Sequence, residues 1–228
     1  MIEIFLKSLI IILTIISTGL ISNKYFFKFN INQNFSELGL LGIMVLSIIS
    51  FLLHFFTPLN ESISNFIYIF PLILILTERF SRKKILEFSK YCLIFSILIV
   101  LYLSYSNFYR PDAGWYHLPF TRILNDFKII FGTASLHPMF GVNSILQYIS
   151  AVFNNSILND KGVLFPNALI AIYFFGFFIF ELLKKKNNYI KKFFSFFVLS
   201  YIFIEANRYS EYGNDIPVLF YFLYVIYL

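Results

Sequence analysis

Two short stretches gather side chains able to move a proton or hold an anion, in a chain that is otherwise apolar. One is Tyr109-Arg110-Pro111-Asp112-Ala113-Gly114-Trp115-Tyr116-His117; the other is Glu205-Ala206-Asn207-Arg208-Tyr209-Ser210-Glu211-Tyr212-Gly213-Asn214-Asp215. Carboxylates, arginines, a histidine and aromatic rings at a lipid boundary are the set a membrane enzyme needs to grip a phosphate headgroup and shift a proton. Asp112 is the leading general base, because Pro111 and Gly114 let the chain turn tightly there and leave the carboxylate at the surface. Its structural alternative is a turn cap or a pair with Arg110. His117 is the second acid-base candidate; His137 is a weaker one.

Arg208 offers a fork of donors suited to phosphate, or else snorkels at the end of a span. Arg110, Tyr116, Glu211 and Asp215 complete the substrate-binding candidates. No compact metal motif is present; a divalent ion, if one is used, would be held by oxygen ligands such as Asp112, Glu211 and Asp215. Cys92 is the only cysteine, which excludes an intramolecular disulfide.

The elements that must position these residues are membrane helices. The chain of 228 residues is 59% hydrophobic and 13% charged, too little polar surface to coat a water-soluble globule. Apolar segments near 3–21, 38–57, 64–77, 91–107, 162–183, 193–206 and 216–228 are continuous rather than alternating, so the fold class expected is all-α, a polytopic transmembrane bundle. A signal-peptide reading of the first segment is weakened by Glu3 and by the spans that follow. The last segment has no polar flank, so further spans are expected beyond it.

The net charge of +6 reports topology rather than nucleic-acid binding. Basic loops after the third segment (Arg79 to Lys90) and the fifth (Lys184 to Lys192) belong on the cytoplasmic side, with Lys24 and Lys28. An even number of crossings must separate those two loops. Residues 141–154 are therefore read as a helix that does not cross, with Ile145, Leu146, Ile149, Val152 and Phe153 on its apolar face and Gln147, Ser150 and Asn154 on the other. Residues 119–131 carry a similar stripe, Phe120, Ile123, Leu124, Phe127 and Phe131. The external loop 108–161 thus holds two amphipathic juxtamembrane helices joined by a turn around Gly132 and His137-Pro138, and both chemistry-bearing stretches fall on the outer face.

This arrangement resembles the GT-C superfamily of integral membrane glycosyltransferases. There an outward span leads directly into a large external loop with an acidic residue near its start, followed by two juxtamembrane helices and a return span. Residues 91–183 look like that module, with Asp112 in Pro-Asp-Ala-Gly-Trp-Tyr-His, although a single acidic residue stands where many members carry two. The resemblance implies sugar transfer from a polyprenyl-phosphate-linked donor to an acceptor hydroxyl outside the cytoplasm, in the inner membrane of a bacterium. Asp112 would take the acceptor proton while basic residues steady the departing lipid phosphate. It divides the chain into N-terminal helices, 1–90, and a GT-C-like unit, 91–228.

Other classes stay open. An O-antigen-type polymerase or ligase would also use lipid-linked substrates, a transporter would place ionisable residues inside its spans, and a scaffold would need no site. The spans read as nearly free of ionisable residues, and no Gly-rich phosphate loop or internal repeat occurs.

Overall fold

The structure is a computed structural model, which describes residues 2–27, 34–77, 82–105, 112–141, 144–154, 159–185, 188–206, 208 and 215–228. Among them the structure is all-α, without strands. Each of the seven apolar segments becomes a helix: α1 (Ile2–Ser22), α2 (Phe35–His54), α3 (Glu61–Leu76), α4 (Arg82–Tyr105), α7 (Phe165–Leu183), α8 (Tyr189–Ile204) and α9 (Asp215–Tyr227), with the short α5 (Leu118–Asp126) and α6 (Ile145–Phe153) between α4 and α7. Among the described residues three stretches are long and apolar enough to cross a membrane: Phe5–Phe27, Phe35–His54 and Gly162–Leu183; α3 and α9 are shorter apolar helices. The chain is a membrane protein on these helices.

Helix starts are marked by side chains that satisfy orphan amides. Asn34, Asn60 and Asn188 accept from Ser36, Ile63 and Lys191 backbone N–H groups, and Ser144 with Gln147 forms a capping box at α6. Within the helices, hydroxyls of Thr18, Ser47, Ser50 and Ser96 donate to the carbonyl one turn back, so a polar group meets lipid or core already satisfied. α1 and α2 pack antiparallel at backbone contact: a Cβ on Gly19 would collide with the Leu38 carbonyl, and one on Gly42 with the Ile15 carbonyl. Small residues permit such approach where dispersion, not water exclusion, must hold helices together. The Thr14 hydroxyl then donates to the Tyr68 carbonyl (3.2 Å), and the Tyr68 hydroxyl to the Val152 carbonyl (3.1 Å), tying α1, α3 and α6.

α7 is the central helix, buried from Phe165 through Phe174 and packed against α2, α4, α6, α8 and α9. One core runs from Ile11 to Tyr227, so the early and late helices bury one another. The outer faces stay apolar: Phe66, Ile69 and Ile73 on α3, Ile97 and Leu101 on α4, Phe193 and Phe197 on α8 are exposed, a surface suited to hydrocarbon.

Two sequence expectations need correction. The 119–131 helix stops at Asp126, because Phe127 is extended (φ −128°, ψ 150°) and the Ile129 N–H leaves the helix to donate to the His54 carbonyl. Helix α6 shows no polar outer face. Gln147 and Ser150 are buried, since α6 is enclosed by α2, α3, α5 and α7. At nine residues it is about 14 Å long, too short to cross. Asn125 clips it in place, its amide donating to the Leu59 and Ala151 carbonyls (2.7 and 2.8 Å) while Asn154 donates to its oxygen. The expected turn is present, with Gly132 at φ 85° followed by short 3-10 turns at Thr133–Ser135 and Pro138–Gly141.

The few ionisable residues at the ends of the apolar runs are partnered. At the end where α2 begins and α7 stops, the Tyr224 hydroxyl donates to Glu37 (3.0 Å), the Tyr227 hydroxyl donates to buried Glu181, Lys184 pairs with Glu181 (3.2 Å), and the Lys191 ammonium sits over the Tyr227 ring (4.6 Å). α9 reaches this cluster with its last turn, having started at the opposite end with Asp215.

Candidate functional site

The residues of the first stretch are set by an uncommon local fold. Ala113–His117 forms a π turn, in which the Leu118 N–H donates to the Ala113 carbonyl five residues back. Single π turns recur at functional sites. Here the turn puts Asp112 at its lip and His117 at its far end, where α5 begins with Pro119 in its first turn. The Thr121 hydroxyl donates to the His117 carbonyl (2.8 Å) and locks the junction.

Asp112 is exposed and its side chain makes no capping hydrogen bond. His117 is the opposite, only 8% exposed. Burial lowers the His117 pKa below the ordinary 6.5, and two negative charges, Asp112 and Asp215, pull it back up. The same two carboxylates act with burial to raise the pKa of the Tyr116 phenol. Asp215 opens α9, a hundred residues further along the chain, yet its charge is felt by both Tyr116 and His117. The sequence pointed to two stretches on one face; in the fold the charges of one residue from each, Asp112 and Asp215, act on the same two groups, Tyr116 and His117.

Aromatic rings hold the cluster. Tyr116 lies 4.2 Å from the His117 ring, centroid to centroid, and stacks on His137 at 6.2 Å and 18°. His137 in turn packs on Phe140 (5.3 Å), and Phe140 on Phe120 (5.6 Å). His137 has its Nδ1 accepting the Met139 N–H (3.3 Å), so its ring is fixed by its own turn. His137 carried little signal in the sequence beyond its place before Pro138, and only the tertiary stacking brings it to Tyr116.

Arg208 stands just past the end of α8, its guanidinium 3.8 Å from Glu205 and its backbone N–H donating to the Glu205 carbonyl. Arg110 and Glu211 lie outside the described residues. Among the described residues no group of three His, Cys, Asp or Glu side chains is placed to hold one ion, and Glu211 was the third carboxylate of the oxygen set.

Chemically, the arrangement is a buried imidazole and a phenol that both feel the charge of two exposed carboxylates, Asp112 and Asp215. Asp112 and Asp215 make no hydrogen bond or ion pair with other described residues, so their lone pairs are open to an incoming hydroxyl or ammonium group. A proton arriving on His117 would be stabilised by both charges.

Comparison with curated proteins and with solved structures gives no match. The family comparison does, over residues 1–228, and the chain belongs to the family described as a domain of unknown function, DUF8201.

Proposed function

We propose that this protein is a membrane glycosyltransferase that moves a sugar from a polyprenyl-phosphate-linked donor to an acceptor hydroxyl on the extracytoplasmic side, in cell-surface glycan synthesis. The observation that carries the reading is the convergence of Asp112 and Asp215 on Tyr116 and His117. The acceptor oxygen attacks the anomeric carbon and gives its proton to the Asp112 carboxylate. The bond from that carbon to the phosphate oxygen breaks, and polyprenyl phosphate leaves with the electron pair. Tyr116 and Asp215 orient sugar hydroxyls, His117 holds a proton in exchange with the two carboxylates, and Arg110, Arg208 and Glu211 belong to the donor side.

In this reading all seven apolar helices cross the membrane as one bundle, and the amphipathic α5 lies at its outer boundary with the short α6 tucked beneath. Support comes from the distribution of charge. Lys184 and Lys191 gather at the Glu181 end of the bundle, while the exposed Arg122–Asp126 pair marks the other end, where the Asp112 cluster is.

The test is transfer of radiolabelled sugar from a polyprenyl-phosphate-sugar pool in membranes holding wild type or an equally expressed Asp112→Asn variant. The proposal expects the variant to lose about 10² to 10⁴ of the rate, the usual worth of general-base catalysis. Undiminished transfer would return Asp112 to the role of a turn residue, and no transfer from any donor would remove the glycosyltransferase reading.

A further inference from the structure

The loop between α5 and α6 turns large apolar side chains outward. Phe127, Ile130, Phe131, Leu136 and Met139 all stand exposed, Phe131 at 85% and Leu136 at 76%. Residues 127–141 contain no Asp or Glu, and Lys128 is their single Lys or Arg. Gly132 turns the tip with φ 85°, and a Cβ built there would meet nothing within 4 Å. Phe140 does the opposite: it is buried and packs on Phe120 of α5 (5.6 Å), which roots the loop while its tip projects. An apolar patch of this kind marks a surface that meets something other than water.

Two backbone bonds fix the height of the loop. The Ile129 N–H donates to the His54 carbonyl (3.1 Å), and the Leu59 N–H to the Leu124 carbonyl (2.9 Å). His54 ends a 20-residue stretch long and apolar enough to cross a membrane, about 30 Å of helix and so the thickness of a hydrocarbon core. The root of the loop therefore lies where lipid tails give way to headgroups. Exposed Met44, Ile48, Leu52 and Phe56 lead along α2 and past its end toward the same point. The backbone is suited to lipid as well. From Ser135 to Phe140 each N–H is satisfied inside the loop: Ser135 donates to the Gly132 carbonyl, Leu136 and His137 to Thr133, Met139 to His137 Nδ1 and Phe140 to the His137 carbonyl, while Pro138 has no N–H. Irregular backbone with unmet donors is not tolerated against hydrocarbon.

We propose that the 127–141 loop seats its apolar tip among the acyl chains of the leaflet at the His54 end of α2. Lipid, rather than a second copy of the chain, is the occupant because the patch continues the apolar face of a membrane helix at the depth where that helix ends. Charge agrees, since exposed Lys128 stands at the root of the loop, at the level of the lipid phosphates, with no carboxylate in the loop to repel them. The same loop carries His137, on which Tyr116 stacks (6.2 Å), so seating it holds the Tyr116 side of the candidate site at the headgroup level, where a substrate carried on a lipid arrives. Such a seat is independent of which reaction the Asp112 region performs.

The experiment uses the full chain in vesicles of phosphatidylcholine and phosphatidylglycerol, spin-labelled at one introduced cysteine at a time: Phe131→Cys, Leu136→Cys or Arg122→Cys. The native Cys92 is buried, which keeps the label at the introduced position. Collisions of each nitroxide with oxygen, which concentrates in hydrocarbon, are compared with collisions with a water-soluble nickel chelate. Labels at 131 and 136 should meet oxygen more often than the chelate, and the label at 122, an exposed charged position on α5, should show the reverse. Ile130→Lys with Phe131→Lys, both at exposed positions, should shift the 136 label toward the ratio seen at 122. An excess of chelate collisions at both 131 and 136 would overturn the proposal, as would a 136 ratio that the two lysines leave unchanged. So would exclusion of both reagents with dipolar broadening that disappears on dilution with unlabelled protein, since a second copy would then cover the tip.

Discussion

The two ends of α9 treat their carboxylates in opposite ways. At its last turn, half-buried Glu37 and buried Glu181 are partnered by Tyr224, Tyr227 and Lys184. At its first residue, Asp215 is exposed, as Asp112 is, with no hydrogen bond from other described residues, and both act by charge on Tyr116 and His117. Carboxylates with filled acceptor sites join helices; carboxylates with open ones are available to a ligand. An ionisable residue within a membrane segment is by default a functional candidate, and here satisfaction, rather than depth, separates the structural pair from the chemical one.

The sharpest way to break this contrast is to delete one member at each end. Glu181→Ala leaves the Tyr227 hydroxyl and Lys184 without their acceptor, and should destabilise the fold by about 1.5–3 kcal/mol, the usual worth of hydrogen bonds to a charged group. Asp112→Asn and Asp215→Asn should each shift stability by less than about 0.5 kcal/mol, as expected for exposed positions without partners. Reversible unfolding in mixed micelles with increasing sodium dodecyl sulfate measures all three. A stability loss for the aspartate variants as large as that for Glu181→Ala would erase the distinction.

A smaller effect sharpens it. Tyr224→Phe removes one hydroxyl, and with it the bond to Glu37 (3.0 Å), so a loss of about 1 kcal/mol is expected in the same unfolding measurement. Sugar transfer per folded molecule should be unchanged, since the change lies at the far end of α9 from Asp215.

The smallest effect is a pH dependence of stability arising at the Asp112 end. Burial holds the folded pKa of His117 below the 6.5 of the unfolded chain. The unfolded state therefore binds the proton more readily, so the His117 contribution is complete above about 6.5 and is lost as pH falls through the lower folded value. Unfolding between pH 7.5 and 5 should show wild type losing stability toward acid and His117→Gln losing less.

Much of the scaffold was legible because lipid imposes a simple grammar: a continuous apolar run must be a helix, and all seven runs are. The caps at Asn60 and Asn188 place the starts of α3 and α8 a few residues ahead of the expected segments 64–77 and 193–206, because apolar runs show a helix's body and not its capped first turn. The polar face assigned to α6 failed because helical periodicity shows which residues share a side, not whether a second layer covers the other side; α2 and α7 cover it. Glu37 was hidden for a related reason, since its partner lies 187 residues away at Tyr224.

For the site, residue chemistry singled out Asp112, His117 and Asp215, and the even-crossing rule put their stretches on one face. The π turn at Ala113–His117 has no sequence signature to read, and the stacking of His137 on Tyr116 depends on how the 127–141 loop folds back.

That Asp112 and Asp215 form one site around His117 can be tested without knowing the substrate. Histidine carbethoxylation, followed residue by residue by mass spectrometry across pH, reports the fraction of each imidazole that is neutral. In wild type the His117 midpoint should lie below 6.5. Both carboxylates raise it, so Asp112→Asn and Asp215→Asn should each move it lower, and the double variant lower still. A His117 midpoint that Asp215→Asn leaves at the wild-type value would contradict the account, because the two stretches would then not share a site.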